Sequence, residues 1–389
     1  MRESRGSWNY CPMSDQVEEV KKGRSMPEWF IWPYYLVPFI PVAIILDFFV
    51  HADATLVFVT AALGVIPTAA LMGVATEELA SKSGPGLGGL LNVSFGNAPE
   101  MIIALFALGA GLQEVVKASI VGAVLGNILL IMGIGMFAGG WKREKQEFNQ
   151  TAVSSQALML FLAVATLVLP AVFVLVHGGG LPGVADDITD FGSDVNTISI
   201  TASVILLLTY GAGLLFSLRT HKNLFNPAGE EHGSPLGWTA GKAIGMLAVA
   251  GLSVGVMAHI LVGSLEEVSV SLGLSEFFVG IIIVAIVGNA AESWVSILYA
   301  TRNKMDLSVQ IAIGSATQLA LVVMPILVIV SFFLGPNPMA LVFNGYEMAS
   351  LIIAVMAAYY VVQEGESNWF EGLQLLALYT VLGVVFFFA

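Results

Sequence analysis

Gly96-Asn97-Ala98-Pro99-Glu100 returns in the same chain as Gly288-Asn289-Ala290-Ala291-Glu292, displaced by 192 positions. Each copy lies inside a long run of Leu, Ile, Val, Ala and Phe, so each sets an amide and a carboxylate among apolar neighbours. Two further features keep the offset. Glu77-Glu78 stands before the first copy as Glu266-Glu267 stands before the second, displaced by 189, and Asn127 after the first matches Gln318 after the second, displaced by 191. Three polar features in one order at nearly constant spacing mark an internal repeat.

Composition says what medium the repeat lives in. Of 389 residues, 57% are apolar and 11% charged, against about 25% charged in soluble domains. The 41 glycines fall within the apolar runs, where membrane helices tolerate them. A single cysteine, Cys11, excludes a disulfide framework and a Cys-based zinc site. A net charge of −13 argues against a nucleic-acid partner. The expected fold class is an all-α polytopic membrane protein in a lipid bilayer.

Runs of about 20 apolar residues, the length that crosses a bilayer, occur at 31–50, 55–80, 87–110, 116–140, 152–176, 197–218, 237–263, 275–300, 308–334, 341–362 and 369–389. The first thirty residues mix Arg2, Arg5, Lys21, Lys22 and Arg24 with acids and lead straight into a full-length helix, which reads as a cytoplasmic tail and not as a signal peptide. With that tail inside, every basic residue except Lys117 faces the cytoplasm, as the positive-inside rule requires. The acidic segment Asp186-Asp187-Ile188-Thr189-Asp190 then falls outside, and Asp47 and Glu347 are expected at outer helix ends, in contact with water.

Eleven helices and the repeat divide the chain into a tail (1–30), an extra N-terminal helix (31–50), a five-helix repeat (55–218), a cytoplasmic linker (219–236) and a second five-helix repeat (237–389). Five is odd, so the second repeat enters from the opposite side. Inverted repeats place a site near the membrane midplane, lined from both sides and open to alternating access. The implied protein is a transporter.

Asn and Glu at i, i+3 share one helix face. A carboxylate at bilayer depth costs at least about 2.5–3.5 kcal/mol, and no lysine or arginine is expected at the depth of Glu100 and Glu292. A cation or a proton must neutralise them. Two carboxylates with amide and carbonyl oxygens form a hard cage suited to Ca²⁺, and the absence of Cys, His and Met in the motif disfavours soft metals. Gly96 and Gly288 allow a helix break that frees backbone carbonyls. Protons and Ca²⁺ would compete for the same oxygens.

These features resemble the cation/proton exchanger branch of the calcium/cation antiporter superfamily, whose members carry Gly-Asn-Ala-x-Glu twice on inverted repeats. The resemblance runs from about residue 55 onward. It implies a secondary active Ca²⁺/H⁺ antiporter, not an enzyme, with Ca²⁺ as transported substrate and no cofactor. It implies that Glu100 and Glu292 bind the cation and exchange protons while Asn97 and Asn289 assist. The polar positions of the following helices correspond to Asn127, Ser315, Thr317 and Gln318, and the accessory acids to Glu77, Glu78, Glu266 and Glu267. Pro99 departs from the branch, because the sodium/calcium branch places Pro before its acid. Exchange of Na⁺ for Ca²⁺, or of Na⁺ or K⁺ for H⁺, is the alternative reading, and a passive cation channel a weaker one. The linker lacks the long acidic stretch of vacuolar members, so a prokaryotic plasma membrane is expected, and the reading accommodates a homo-oligomer.

Other motifs take structural readings. Gly84-Pro85-Gly86-Leu87-Gly88-Gly89 formally fits Gly-x-Gly-x-x-Gly but follows a membrane helix, so a hinge or re-entrant break is expected. Trp294 brings an indole near the second motif, His259 is expected to be a packing or interfacial residue, and Gly122/Gly126 and Gly251/Gly255 are expected at close helix contacts.

Overall fold

A helix that starts in or near hydrocarbon must satisfy its first N–H groups without help from water. The sequence supplies capping side chains for this. Asp53 accepts from Thr55 N–H (2.9 Å), Asn149 from Ala152 N–H (3.2 Å), and Asn344 from Glu347 N–H (2.9 Å), while Glu347 reaches back to Asn344 N–H to close a capping box. The helices that follow are α2 (Ala54–Ala80), α5 (Gln150–Val176) and α10 (Gly345–Val362); Thr239, Ser275 and Asn368 cap three more.

The computed structural model describes residues 32–83, 88, 91, 95–184, 191–217 and 236–389. The expected tail, the Gly84-Pro85-Gly86 break, Asp186, Asp187 and Asp190, and the linker up to residue 235 lie outside the described residues. Ten helices among the described residues are long and apolar enough to cross a membrane: α1 (Trp32–Val50), α2, α4 (Gln113–Gly140), α5, α6 (Ser193–Leu215), α7 (Ala240–Gly263), α8 (Glu276–Thr301), α9 (Met305–Val330), α10 and α11 (Trp369–Phe388). Of the remaining expected span, 87–110, the described residues 88, 91, 95 and 96 are helical, Asn97 interrupts, and the helix α3 runs over Ala98–Gly109. The architecture is an all-α membrane fold, in which α2–α6 and α7–α11 are the helices of the two stretches, here called halves, that the internal repeat of the sequence aligns. Its β structure among the described residues is one two-residue pair, Gln146–Glu147 with Glu366–Ser367, antiparallel. Beside it Lys145 reaches Glu366 (2.7 Å) and Glu147 (3.1 Å), whose hydrogen bonds, Glu366 first, hold its ammonium above the usual lysine range.

The interruption before α3 has a sequence cause. Asn97 leaves the helical region (φ −98°, ψ 25°), and Pro99 stands in the first turn beyond it. Proline has no N–H for the carbonyl four residues back, and its ring crowds that carbonyl. The second copy has Ala291 at this position and runs unbroken through Gly288 and Asn289 within α8. The break expected at both glycines therefore occurs in one copy, set by the proline and not by the glycine. A helix not foreseen from the sequence, Leu265–Leu272, follows α7.

Equivalent helices of the halves share a further irregularity. Helix α4 passes through a π-helical segment at Gly126–Ile131, and α9 through one at Leu319–Val323. These segments begin beside Asn127 and Gln318, the two residues that the internal repeat aligns. Such bulges are frequent at functional sites because they re-aim side chains within a continuous helix.

Helix α4 is the most buried of the ten spans and packs against α8, α9 and α11. Its closest approach is at Gly122, where an added Cβ would stand 1.9 Å from the carbonyl oxygen of Ile281 on α8. Gly126, expected to pack as closely, has no such neighbour within 4 Å. Near the start of α4, Lys117 is buried: it donates to Val342 O (2.8 Å), pairs with Glu114 and acts electrostatically on Glu347. Glu347 is fully buried. The expectation that it sits in water fails because the capping box and the Lys117 charge both hold it inside.

Gly122→Ala is expected to lower stability by at least about 1–3 kcal/mol, the usual cost of overpacking. Gly126→Ala, with open space and a better helix former, should be neutral or stabilising. Thermal unfolding of the two purified variants in detergent checks the contrast.

Candidate ion-binding site

Chain topology brings the two Gly-Asn-Ala-x-Glu copies face to face. A Cβ built on Gly288 would stand 3.3 Å from Cγ and 3.7 Å from Oε1 of Glu100. A Cβ built on Gly96 would stand 3.8 Å from Oε1 of Glu292 and 3.6 Å from Oε1 of Gln318. Each motif glycine thus faces the other motif's glutamate, and the missing side chain lets that carboxylate approach the opposing backbone. This is the arrangement a two-fold relation between halves requires.

The asparagines are held reciprocally as well. Asn97, on the first motif, donates through Nδ2 to Gln318 Oε1 (2.7 Å) and accepts at Oδ1 from Ser315 Oγ (2.8 Å), both on α9 of the second half. Asn289, on the second motif, accepts at Oδ1 from Asn127 Nδ2 (3.2 Å), on α4 of the first half. Asn127 Nδ2 also reaches Ser315 Oγ (3.1 Å), which joins the two arms into one network. Asn289 Nδ2 returns to Ala285 O (3.1 Å) on its own helix. Every motif asparagine is oriented by a side chain of the opposite half.

The glutamates are less satisfied. Glu100 is 7% exposed, lies close enough to Glu292 for the two charges to repel, and leaves Oε2 buried with no hydrogen-bond partner. Glu292 lies beside Ser315, whose hydroxyl proton goes to Asn97 Oδ1, and its Oε2 is likewise buried without a partner. Among the described residues the ion pairs are Lys117–Glu114, Lys145–Glu147 and Lys145–Glu366, and none reaches either motif glutamate. No group of three or more His, Cys, Asp and Glu side chains converges among them. Two acids, two amides and nearby hydroxyls therefore make up the polar set, an all-oxygen environment suited to a hard cation.

Of the remaining sequence candidates, Thr317 spends its hydroxyl on Ile313 O (2.7 Å) and approaches Gln156 O (3.4 Å). The accessory acids do not join the motif glutamates in a cluster. Glu78 is fully buried and accepts from the backbone N–H of Leu236 and of Trp238 (2.9 Å), so it anchors the chain entering α7. Glu77, Glu266 and Glu267 are exposed.

Three residues outside the expected ion-binding set enter the description, of which Trp294 is already expected near the second motif. Ser293 donates to Asn289 O (2.6 Å), Gln156 leaves Oε1 buried and unpartnered, and Trp294 turns its ring onto Trp32 of α1 at 5.3 Å. Only Ser293 and Trp294 carried a local signal, their adjacency to Glu292.

Comparison with known proteins follows the same outline. The family described as sodium/calcium exchanger protein matches residues 54–219 and 242–388. The Ca(2+)/H(+) antiporter of Aphanothece halophytica is 39% identical over 367 residues, covering 91% of this chain and 95% of that protein. The Ca(2+)/H(+) antiporter ChaA of Bacillus subtilis (strain 168) is 41% identical over 342 residues, covering 87% and 93%. Among solved structures, native YfkE superposes with a TM-score of 0.75 at 36% identity, over 92% of this chain and all of that one.

The network's weakest redundancy is at Asn127. Asn127→Leu removes the donor to the buried Asn289 Oδ1 and should cost about 1–3 kcal/mol, the penalty of an orphaned buried acceptor. A lowered unfolding temperature in detergent, with helix content unchanged at low temperature, is the expected result.

Proposed function

The chain belongs to the sodium/calcium exchanger protein family, and on that premise we propose that it is a secondary active transporter that exchanges Ca²⁺ for H⁺. The observation that carries the reading is the pair of buried, unpartnered carboxylate oxygens of Glu100 and Glu292, facing one another with no basic side chain in reach among the described residues. The 39% and 41% identical relatives, both named Ca²⁺/H⁺ antiporters, support the choice of ions.

Two facing carboxylates in an apolar interior repel each other strongly, since the low effective dielectric screens little. A divalent cation between them cancels both charges. Protons on the oxygens cancel them too, and the two solutions exclude one another because they use the same oxygens. Alternate neutralisation by Ca²⁺ and by protons is exchange. In this scheme Glu100 and Glu292 bind the cation and carry the protons near the membrane midplane. Asn97 and Asn289 complete the shell with Oδ1 atoms fixed in direction by Ser315 and Asn127. Gln318 keeps Asn97 from turning.

Pro99 fits the same scheme. The carbonyl of Phe95 has no proline N–H to bond, so the broken copy offers backbone oxygen where the continuous copy offers only side chains. Alternating access follows from the inverted halves, which present like surfaces to the two sides of the membrane. Export of Ca²⁺ across a prokaryotic plasma membrane, driven by the proton gradient with the N-terminus in the cytoplasm, is the cellular setting proposed.

The test is ⁴⁵Ca²⁺ uptake into proteoliposomes under an imposed pH gradient without sodium. Uptake is expected to follow the gradient in the natural protein. In Glu100→Gln and Glu292→Gln it should fall by about 10²–10³-fold, which corresponds to the roughly 3–5 kcal/mol lost when one member of a buried charge pair is removed. Uptake that needs sodium in place of the pH gradient would transfer the protein to Na⁺/Ca²⁺ exchange. Full uptake in either variant would remove that glutamate from the site.

A further inference from the structure

Beside the helix that carries Glu100 the bundle leaves an apolar groove of about 530 Å³, in the range of about 300–1,000 Å³ occupied by small-molecule sites. Its floor is Gly251 and Gly255 of α7, four residues apart on one helix face, and its far wall is Ile102 and Phe106 of α3. Leu252 and Phe48 stand on its rim and are 74% and 51% exposed. Both lie in helices long and apolar enough to cross a membrane, so the medium they are exposed to is the hydrocarbon of the bilayer.

Only one end of the groove is polar. His259 lies within the last turns of α7, and its exposed ring sits between Phe48 (6.4 Å) and Phe106 (5.9 Å), each near the end of its own helix. The C-terminal ends of α1, α3 and α7 therefore meet at this histidine, at the level where the helices leave the membrane. From Gly251 to His259 the groove follows α7 for eight residues, about 12 Å at 1.5 Å per residue. A slot that is apolar for that length, opens to hydrocarbon and ends at one hydrogen-bonding ring near the interface has the chemistry of a lipid and not of a water-soluble ligand.

We propose that this groove binds one acyl chain of a bilayer phospholipid, with His259 donating a hydrogen bond to the phosphate or ester oxygens of its headgroup. The inner end of the chain then packs on Ile102, two residues beyond Glu100, so the lipid braces the helix that bears one of the two site carboxylates. The binding is independent of which ions the protein exchanges. The expectation that Gly251 and Gly255 mark close helix contacts is thereby narrowed: a built Cβ on Gly251 meets only the tip of Met72 on α2, at 3.5 Å, and one on Gly255 only the edge of Phe106, at 3.7 Å, so no backbone comes within 4 Å of either and the slot beside them is left for the lipid.

The experiment is native mass spectrometry of the full chain, extracted from liposomes of phosphatidylethanolamine and phosphatidylglycerol and washed with detergent. The natural protein should retain one phospholipid per chain. Leu252→Trp fills the slot from the rim and Gly255→Leu from the floor; each should lower occupancy about tenfold by overpacking. His259→Ala should lower it by a similar factor, the loss of one hydrogen bond to a charged group. Two independent fillings guard against one variant that fails to fold, and monodisperse elution verifies each. Equal retention in all four proteins overturns the proposal, as does absence of lipid from the natural protein. A lipid-free dimer of the natural protein overturns it too, because a second copy would then cover the groove.

Discussion

The structure is arranged around two acids that have no base in reach among the described residues. In an apolar interior a carboxylate without a counter-ion is among the most costly groups a chain can carry, and here two of them face each other across the contact of the two halves. Hydrogen bonds alone do not resolve this. Ser315 stands beside Glu292 but gives its proton to Asn97, and each acid keeps an oxygen without a partner. The surrounding amides are committed to one another across the halves, Asn97 to Gln318 and Ser315, Asn289 to Asn127, so they hold position and do not rotate to quench the charge. The frame keeps the acids unquenched, and an unquenched pair is what the proposed exchange requires.

Lys117 shows the same physics with the opposite outcome. Glu347 is fully buried and, like the motif glutamates, keeps one oxygen without a hydrogen-bond partner, but its other oxygen closes the capping box and the Lys117 charge acts on it. That cluster ties the start of α4 to the segment before α10. What separates Glu347 from the motif pair is the nearby base, which the motif pair lacks among the described residues.

Much of this was legible in the sequence because it depends on patterns that repeat. The apolar runs place ten of the helices to within a few residues, and the constant offset of Gly-Asn-Ala-x-Glu and of Asn127 or Gln318 picks out residues that meet at the site. Single-residue chemistry in three dimensions is less accessible. In the sequence Pro99 bears on the coupling ion, whereas its plainest structural effect is the helix interruption at Asn97. Glu347 looked solvent-exposed because sequence position near a helix end does not reveal that Lys117, 230 residues earlier, fills the space beside it. Glu78 was grouped with Glu77 by adjacency, but on a helix neighbouring residues point to different sides, and only Glu78 turns inward to hold the start of α7.

The break at Asn97 has no counterpart at Asn289, so the two halves are alike in plan but unequal in stiffness. For a carrier working between two compartments, that inequality cannot choose the direction of net movement, which belongs to the gradients alone. Under the proposed exchange it would divide the turnover time unevenly. A segment interrupted at Asn97 reorganises more readily than an uninterrupted rod, so loading from one compartment would be fast and from the other slow. A single proline would thereby give a nearly palindromic carrier a kinetic front and back.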